Sequence, residues 1–267
     1  YNGFMNKIIA ITLVPYTFFC LLVFSFQDSM VFYPDQKSLR YCPRIFQMGG
    51  EFVEDKDFNA YYYLRKVSKA KGTLVHFHGN AGNACDRYFV LDRLKDQPFN
   101  IILAEYPGYG GIGGALGEKE ILQGADNLFA SLKRKGMADS VYLFGESLGT
   151  AVSTYIASKN SIKGMILQSP FTTLSEVGQH HYPILPVRWL MTNKFPLKIW
   201  AKKVQSPVLI IHGEKDRIIP FHFGKEASTY FPKGTFFKKI EGRGHNDLVI
   251  SAIFWKEVRN FLKQSLK

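Results

Sequence analysis

This 267-residue sequence predicts an α/β domain with a mainly parallel central sheet, carried behind an N-terminal apolar helix. Three observations lead there. Short apolar runs ending in Gly, Pro or polar residues recur along the chain, as strands buried on both faces do. Segments with one apolar face at helical spacing separate them. An uncharged run of membrane length precedes everything else. Hydrophobic residues make up 46% and charged residues 21%, near the globular average, which excludes disordered, collagen-like and polytopic membrane classes. Cys20, Cys42 and Cys85 are too few for a disulfide framework and lack the CxxC spacing of a zinc site.

The first element is the run Ile8 to Phe26, 19 residues without a charge, preceded by Lys7. About 20 apolar residues match the roughly 30 Å hydrocarbon core of a bilayer. Pro15 is tolerated in such a helix. We therefore expect an uncleaved anchor over residues 1–27, with a signal peptide and a buried core helix as rivals. A signal peptide would have a shorter apolar region and a small-x-small cleavage site. Here the run leads into Phe24-Ser25-Phe26-Gln27. Lys37, Arg40 and Arg44 after the run, against Lys7 before it, slightly favour a cytoplasmic domain, and the side of the membrane stays open.

Strands and helices then alternate. Strands are expected at Phe58–Leu64, Thr73–His78, Ile101–Tyr106, Val141–Gly145, Gly164–Ser169 and Pro207–Gly213, and in the run TFFKKI. A helix carrying Ile121, Ala125, Leu128, Phe129 and Leu132 on one face closes at Lys133-Arg134-Lys135-Gly136, with cations at its negative end. Another follows Val141–Gly145, and a last one spans about Asp247–Leu266. Repeated strand–helix units imply one α/β domain over residues 28–267, without a second domain.

Gly145-Glu146-Ser147-Leu148-Gly149 sits between a strand and a helix, the context in which GxSxG carries meaning. The glycines permit a sharp turn that exposes the Ser147 hydroxyl at a strand end. A serine needs a base held by an acid, in the chain order Ser, acid, His. Asp216 lies just past the strand PVLIIHG, where α/β sheets place functional groups. Glu214 and Asp247 are competing acids. His245, in the loop Gly242-Arg243-Gly244-His245-Asn246-Asp247, is the candidate base. Upstream, His78-Gly79-Asn80 turns at the end of TLVHFH, so the backbone N–H groups of Asn80 and Leu148 are the expected oxyanion donors.

HFHGNAGN, EYPGYGG, GESLGT, SPF, HGEKDRIIP and GHND, in this order and spacing, resemble membrane-associated α/β-hydrolases related to the eukaryotic α/β-hydrolase-domain depalmitoylases and their bacterial relatives. The resemblance covers roughly residues 28–267. It implies the α/β-hydrolase fold, a Ser147–Asp216–His245 triad and hydrolysis of acyl esters or thioesters without metal or organic cofactor. The depalmitoylases attach through an acylated Cys-rich N-terminus, whereas this N-terminal run contains only Cys20. Two alternatives stand beside an active esterase: a catalytically silent interaction protein of this fold, and an aminopeptidase-like serine hydrolase.

The stretch of about 170–205 is longer than one crossover helix and rich in Pro and aromatics. We read it as a lid whose Phe171, Tyr182, Leu185, Trp189, Leu190 and Trp200 wall an apolar acyl pocket. Gly108–Gly113 matches GxGxxG, but Pro107 opens it and further glycines delay the helix, so a loop bordering the site is expected rather than a dinucleotide site. His76 and His78 form an HxH without further ligands nearby; His180-His181 line or cap the site or are exposed, while His212 and His222 pack or face solvent. The excess of 34 Lys+Arg over 22 Asp+Glu gives a formal +12. It is scattered rather than interleaved with stacking aromatics, so a lipid bilayer rather than nucleic acid is the partner expected from charge; the resemblance implies a small acyl ester or acylated-protein substrate as well.

Overall fold

The computed structural model describes residues 2–232 and 234–266, with side chains from residue 11 onward. Tyr1 and Lys267 at the limits of the expected domains, and the side chains of Lys7 and residues 8–10, lie outside the described residues. Helix α1 (Asn2–Val31) contains Pro15 and continues past the expected boundary at residue 27. Its segment Ile11–Val31 is long and apolar enough to cross a membrane, and nearly all of it is exposed.

Eight strands form the main sheet: β1 (Gly50–Asp55), β2 (Ala60–Arg65), β3 (Thr73–Phe77), β4 (Asn100–Ala104), β5 (Val141–Glu146), β6 (Gly164–Gln168), β7 (Val208–Gly213) and β8 (Phe236–Ile240). Their spatial order is β8-β7-β6-β5-β3-β4-β2-β1. β2 is antiparallel to both β1 and β4, and every other pairing is parallel. β1 was absent from the sequence expectation because GEFVED carries charges along a half-exposed edge, without the apolar run of an interior strand. The interior strands β3, β5, β6 and β7 are buried along their length, apart from the half-buried Glu146 that ends β5.

Alternation along the strands feeds two cores. Val75, Leu143 and Ile210 face α2 (Glu118–Arg134) and α3 (Leu148–Lys159), packing with Leu128, Val152 and Ile156. Leu74, Ile166 and Ile211 face the opposite side with Leu91, Phe254 and Val258. The crossover after β6 holds three short helices, α4 (Leu174–His181), α5 (Val187–Leu190) and α6 (Leu197–Ala201). α7 (Phe221–Ser228) follows β7. The last helix, α8, covers Ala252–Gln264, because a 3-10 turn at Leu248–Ile250 takes the first part of the expected Asp247–Leu266 span.

The cysteines form one bridge that the sequence reading did not identify. Cys42 and Cys85, 43 residues apart, are joined in a disulfide with Cα atoms 5.8 Å apart. Three cysteines exclude a framework of several bridges but not one bridge, and sequence spacing cannot identify such a pair. Cys20 on α1 is free and buried.

Candidate active site

β5 runs into Ser147, whose φ of 52° and ψ of −114° place a non-glycine residue in strained backbone space. Such a conformation costs on the order of 1–3 kcal/mol and persists only where the surroundings enforce it. Here the Ser147 N–H donates to the Gln168 carbonyl at 2.9 Å. A Cβ on Gly149 would collide with the Phe77 carbonyl, and one on Gly145 with the backbone of Gly149 and Thr150, so both motif glycines are required by close approach. α3 begins at Leu148, and its positive end lies at the hydroxyl.

The structure brings Ser147, Asp216 and His245 together. His245 Nε2 lies 3.0 Å from Ser147 Oγ, and His245 Nδ1 lies 2.7 Å from Asp216 Oδ2. The ionised carboxylate only accepts, so it fixes the proton on Nδ1 and leaves Nε2 to accept from the serine. Asp216 is buried, which by itself raises a carboxyl pKa. Hydrogen bonds from His212 and His245, charge at His245 and the Ile219 N–H outweigh burial and hold it well below the ordinary range. Its other oxygen, Oδ1, accepts the N–H groups of Ile218 and Ile219 at 3.0 and 2.8 Å.

The competing acids are placed elsewhere. Exposed Glu214 pairs with Lys239 at 2.9 Å and accepts the Gly242 N–H at 3.1 Å. Asp247 accepts the Gly244 N–H at 2.6 Å. Both therefore brace the loop that carries His245. His212, expected to pack or face solvent, is buried with Nε2 2.8 Å from the Ile219 carbonyl and 3.3 Å from Asp216 Oδ2. Its position in an apolar strand gave no sign of this second contact.

A Cβ built on Gly79 would lie 3.5 Å from Ser147 Cβ, so the loop bearing Asn80 abuts Ser147. Among the described residues, no backbone carbonyl accepts from the Asn80 or Leu148 N–H. The loop is held from several sides. His78 spans Glu105 at 2.8 Å and the Gly79 carbonyl at 2.7 Å. Tyr106 and Tyr109 donate to the carbonyls of His78 and Asn80, both at 2.8 Å. The Asn80 side chain donates to the Val31 carbonyl of α1 at 2.6 Å. His76 is buried beside Glu146 at 3.8 Å, and burial pushes its pKa down to about 3, so it is neutral. Glu146, the variable residue inside GxSxG, binds Arg87 through two hydrogen bonds of 2.9 and 3.1 Å.

Beside the loop lies a mostly apolar cavity of about 540 Å³. Of the residues expected to wall a pocket, Tyr182, Leu185 and Leu190 line it. Phe171 is fully buried in the core, Trp200 packs on Tyr155 with ring centroids 5.2 Å apart, and Trp189 is 87% exposed. His181 lines the cavity as well, whereas His180 stacks beside His222 with ring centroids 5.4 Å apart. Sequence reasoning missed the opposite wall, which comes from α1: Val23, Phe24, Gln27, Met30 and Val31. The GxGxxG segment forms a turn whose Gly110 N–H donates to the Asp35 carbonyl, so it supports the chain leaving α1.

Known proteins share this architecture. The family described as serine aminopeptidase S33 (Hydrolase_4) matches residues 68–199. An uncharacterized protein of Mycobacterium tuberculosis is 28% identical over 255 residues, covering 92% of this chain and 90% of that protein. Human alpha/beta hydrolase domain-containing protein 17C is 30% identical over 209 residues, covering 76% of this chain and 62% of that protein. Two solved structures share the fold. A Pyrococcus furiosus esterase superimposes with a TM-score of 0.67 at 16% identity, over 89% of this chain and 99% of its own. The Butyrivibrio proteoclasticus protein Est1E with bound ferulic acid also gives 0.67, at 18% identity, over 81% and 99%.

Proposed function

Because this chain has the α/β-hydrolase fold, we propose that it is a serine hydrolase of acyl esters or thioesters, held to a membrane by α1. The observation that carries the reading is the continuous chain Ser147 Oγ–His245–Asp216, with contacts of 3.0 and 2.7 Å, on a strained turn at the head of α3. In this reading Ser147 Oγ attacks the acyl carbonyl carbon while His245 Nε2 takes its proton. Asp216 stabilises the resulting imidazolium. The oxyanion accepts from the Asn80 and Leu148 N–H groups, each worth about 2.7–4 kcal/mol in the transition state. Collapse expels the alcohol or thiol, which takes the proton from His245. Water, deprotonated by His245, then cleaves the acyl-enzyme.

The relatives support hydrolysis of this class: hydrolases and an esterase recur among them. The family description includes aminopeptidases, but among the described residues no carboxylate lines the cavity to hold a substrate ammonium, and Arg217 would repel it. The exposed apolar span of α1 supports membrane anchoring, and the formal +12 charge supports attraction to anionic headgroups. The Cys42–Cys85 bridge supports an oxidising compartment for the domain, against the slight bias from Lys37, Arg40 and Arg44.

Labelling with a fluorophosphonate tests the reading. Folded wild type should label and Ser147→Ala should not. Ser147→Ala and His245→Ala should each lower kcat on p-nitrophenyl esters by about 10³-fold or more, and non-additively. Failure of folded wild type to label would overturn the proposal.

A further inference from the structure

We infer that the cavity between α1 and the lid holds the acyl chain of the substrate, so that the membrane helix itself forms one wall of the acyl site and selects a long single chain. The inference rests on the serine-hydrolase reading and deepens it. The cavity has the size of a ligand site, about 540 Å³, and reaches both Asn80 and Arg217-Ile218. These residues adjoin the loop abutting Ser147 and the carboxylate bonded to His245. An ester carbonyl placed at Ser147 therefore has its tail at the mouth of an apolar slot.

The slot has two unlike walls. Leu174, Val177, Leu185 and Leu190 come from the crossover, and Val23 and Met30 from α1. α1 is fixed there by specific bonds rather than by loose contact. Tyr16 donates to the Ile184 carbonyl at 2.7 Å, and Gln27 accepts from the Thr192 backbone and hydroxyl at 2.8 and 3.0 Å. Asn193 donates to Asp28 at 2.6 Å. The same helix, over Ile11–Val31, has the length and exposed apolar surface of a bilayer span. A wall continuous with hydrocarbon lets a lipid tail slide along α1 from the bilayer into the site, without ever being fully wetted. The occupant is thus the chain of a membrane-resident acyl ester or thioester, not a short soluble ester.

The test measures kcat/KM of the full chain in detergent micelles for p-nitrophenyl esters from acetate to palmitate. In wild type, kcat/KM should rise with chain length, by up to about fourfold per methylene buried. Val23→Trp fills the slot from α1 and Leu190→Trp fills it from the lid. Each should cut the ratio of long-chain to acetate kcat/KM at least tenfold. Leu22→Trp, on an exposed face of the same helix outside the cavity, should leave that ratio as in wild type. Fluorophosphonate labelling of Ser147 in each variant reports folding independently of the chain. A ratio unchanged by both filling variants, or lowered equally by Leu22→Trp, would overturn the inference while leaving a labelled, active serine hydrolase. Wild type that neither labels nor hydrolyses any ester would instead overturn the underlying reading and the inference with it.

Discussion

At the residue scale, the site depends on charges that solvent cannot replace. Glu146 is half-buried next to Ser147, and burial alone would raise its pKa. The Arg87 guanidinium, by charge and hydrogen bonding, more than offsets this, bringing it from 4.5 to about 2. Glu146→Gln leaves the Arg87 guanidinium without its carboxylate and should destabilise the protein by about 3–5 kcal/mol at neutral pH. Because the folded pKa is depressed, the stabilisation is complete above about 4.5 and drains away as pH falls through 2. Urea unfolding of both proteins along a pH series should therefore show two curves that converge at acid pH. Curves that stay parallel would assign the loss to packing instead. The positions of Ser147, Asp216 and His245 were legible because each follows a strand signal and sits among glycines or polar residues. The role of His212 was not, because a histidine inside an apolar run has the same sequence whether it packs or touches a carboxylate.

At the element scale, the lid shows what apolar sequence does and does not say. Phe171, Trp200 and Trp189 looked alike as aromatic residues in one insertion, yet they are placed in the core, on α3 and in solvent respectively. Only tertiary packing distinguishes them, and part of it, at Ile184, Thr192 and Asn193, is against α1, more than 140 residues earlier. The tip of the lid exposes Ile184 at 82% and Trp189 at 87%, next to the point where Tyr16 of α1 meets Ile184. Exposed apolar side chains beside the apolar span of α1 belong in contact with lipid rather than water. In vesicles reconstituted with the full chain, Trp189 fluorescence should be quenched by lipids brominated along the acyl chain. The quenchable fraction should fall in Trp189→Phe, with the other two tryptophans as the residual signal. Equal quenching of both proteins would place the lid tip in water.

At the scale of the whole molecule, the central sheet was legible from repeated buried strands, but the attachments around it were not. β1 escaped because a half-exposed edge carries charge, and the disulfide escaped because no spacing rule pairs Cys42 with Cys85. The bridge connects the segment leaving α1 to the 3-10 turn behind the Asn80 loop, so it closes a long loop across the same corner. Such a closure contributes about 2–4 kcal/mol by restricting the unfolded chain. Urea unfolding with and without a thiol reductant should differ by that amount, and Cys42→Ala with Cys85→Ala should remove the difference. A reductant-insensitive unfolding curve would show that the pair is not bridged in solution.

The backbone of Ser147 also has a consequence for the stability of the fold. A positive φ at a residue with a Cβ is a standing local cost, and glycine alone would relieve it while removing the hydroxyl. Selection for robustness and selection for turnover thus pull the same codon in opposite directions. A lineage of this protein under no demand for a hydroxyl at this position would find there a local route to a sturdier fold. On the serine-hydrolase reading, a serine kept there marks continuing demand for the chemistry.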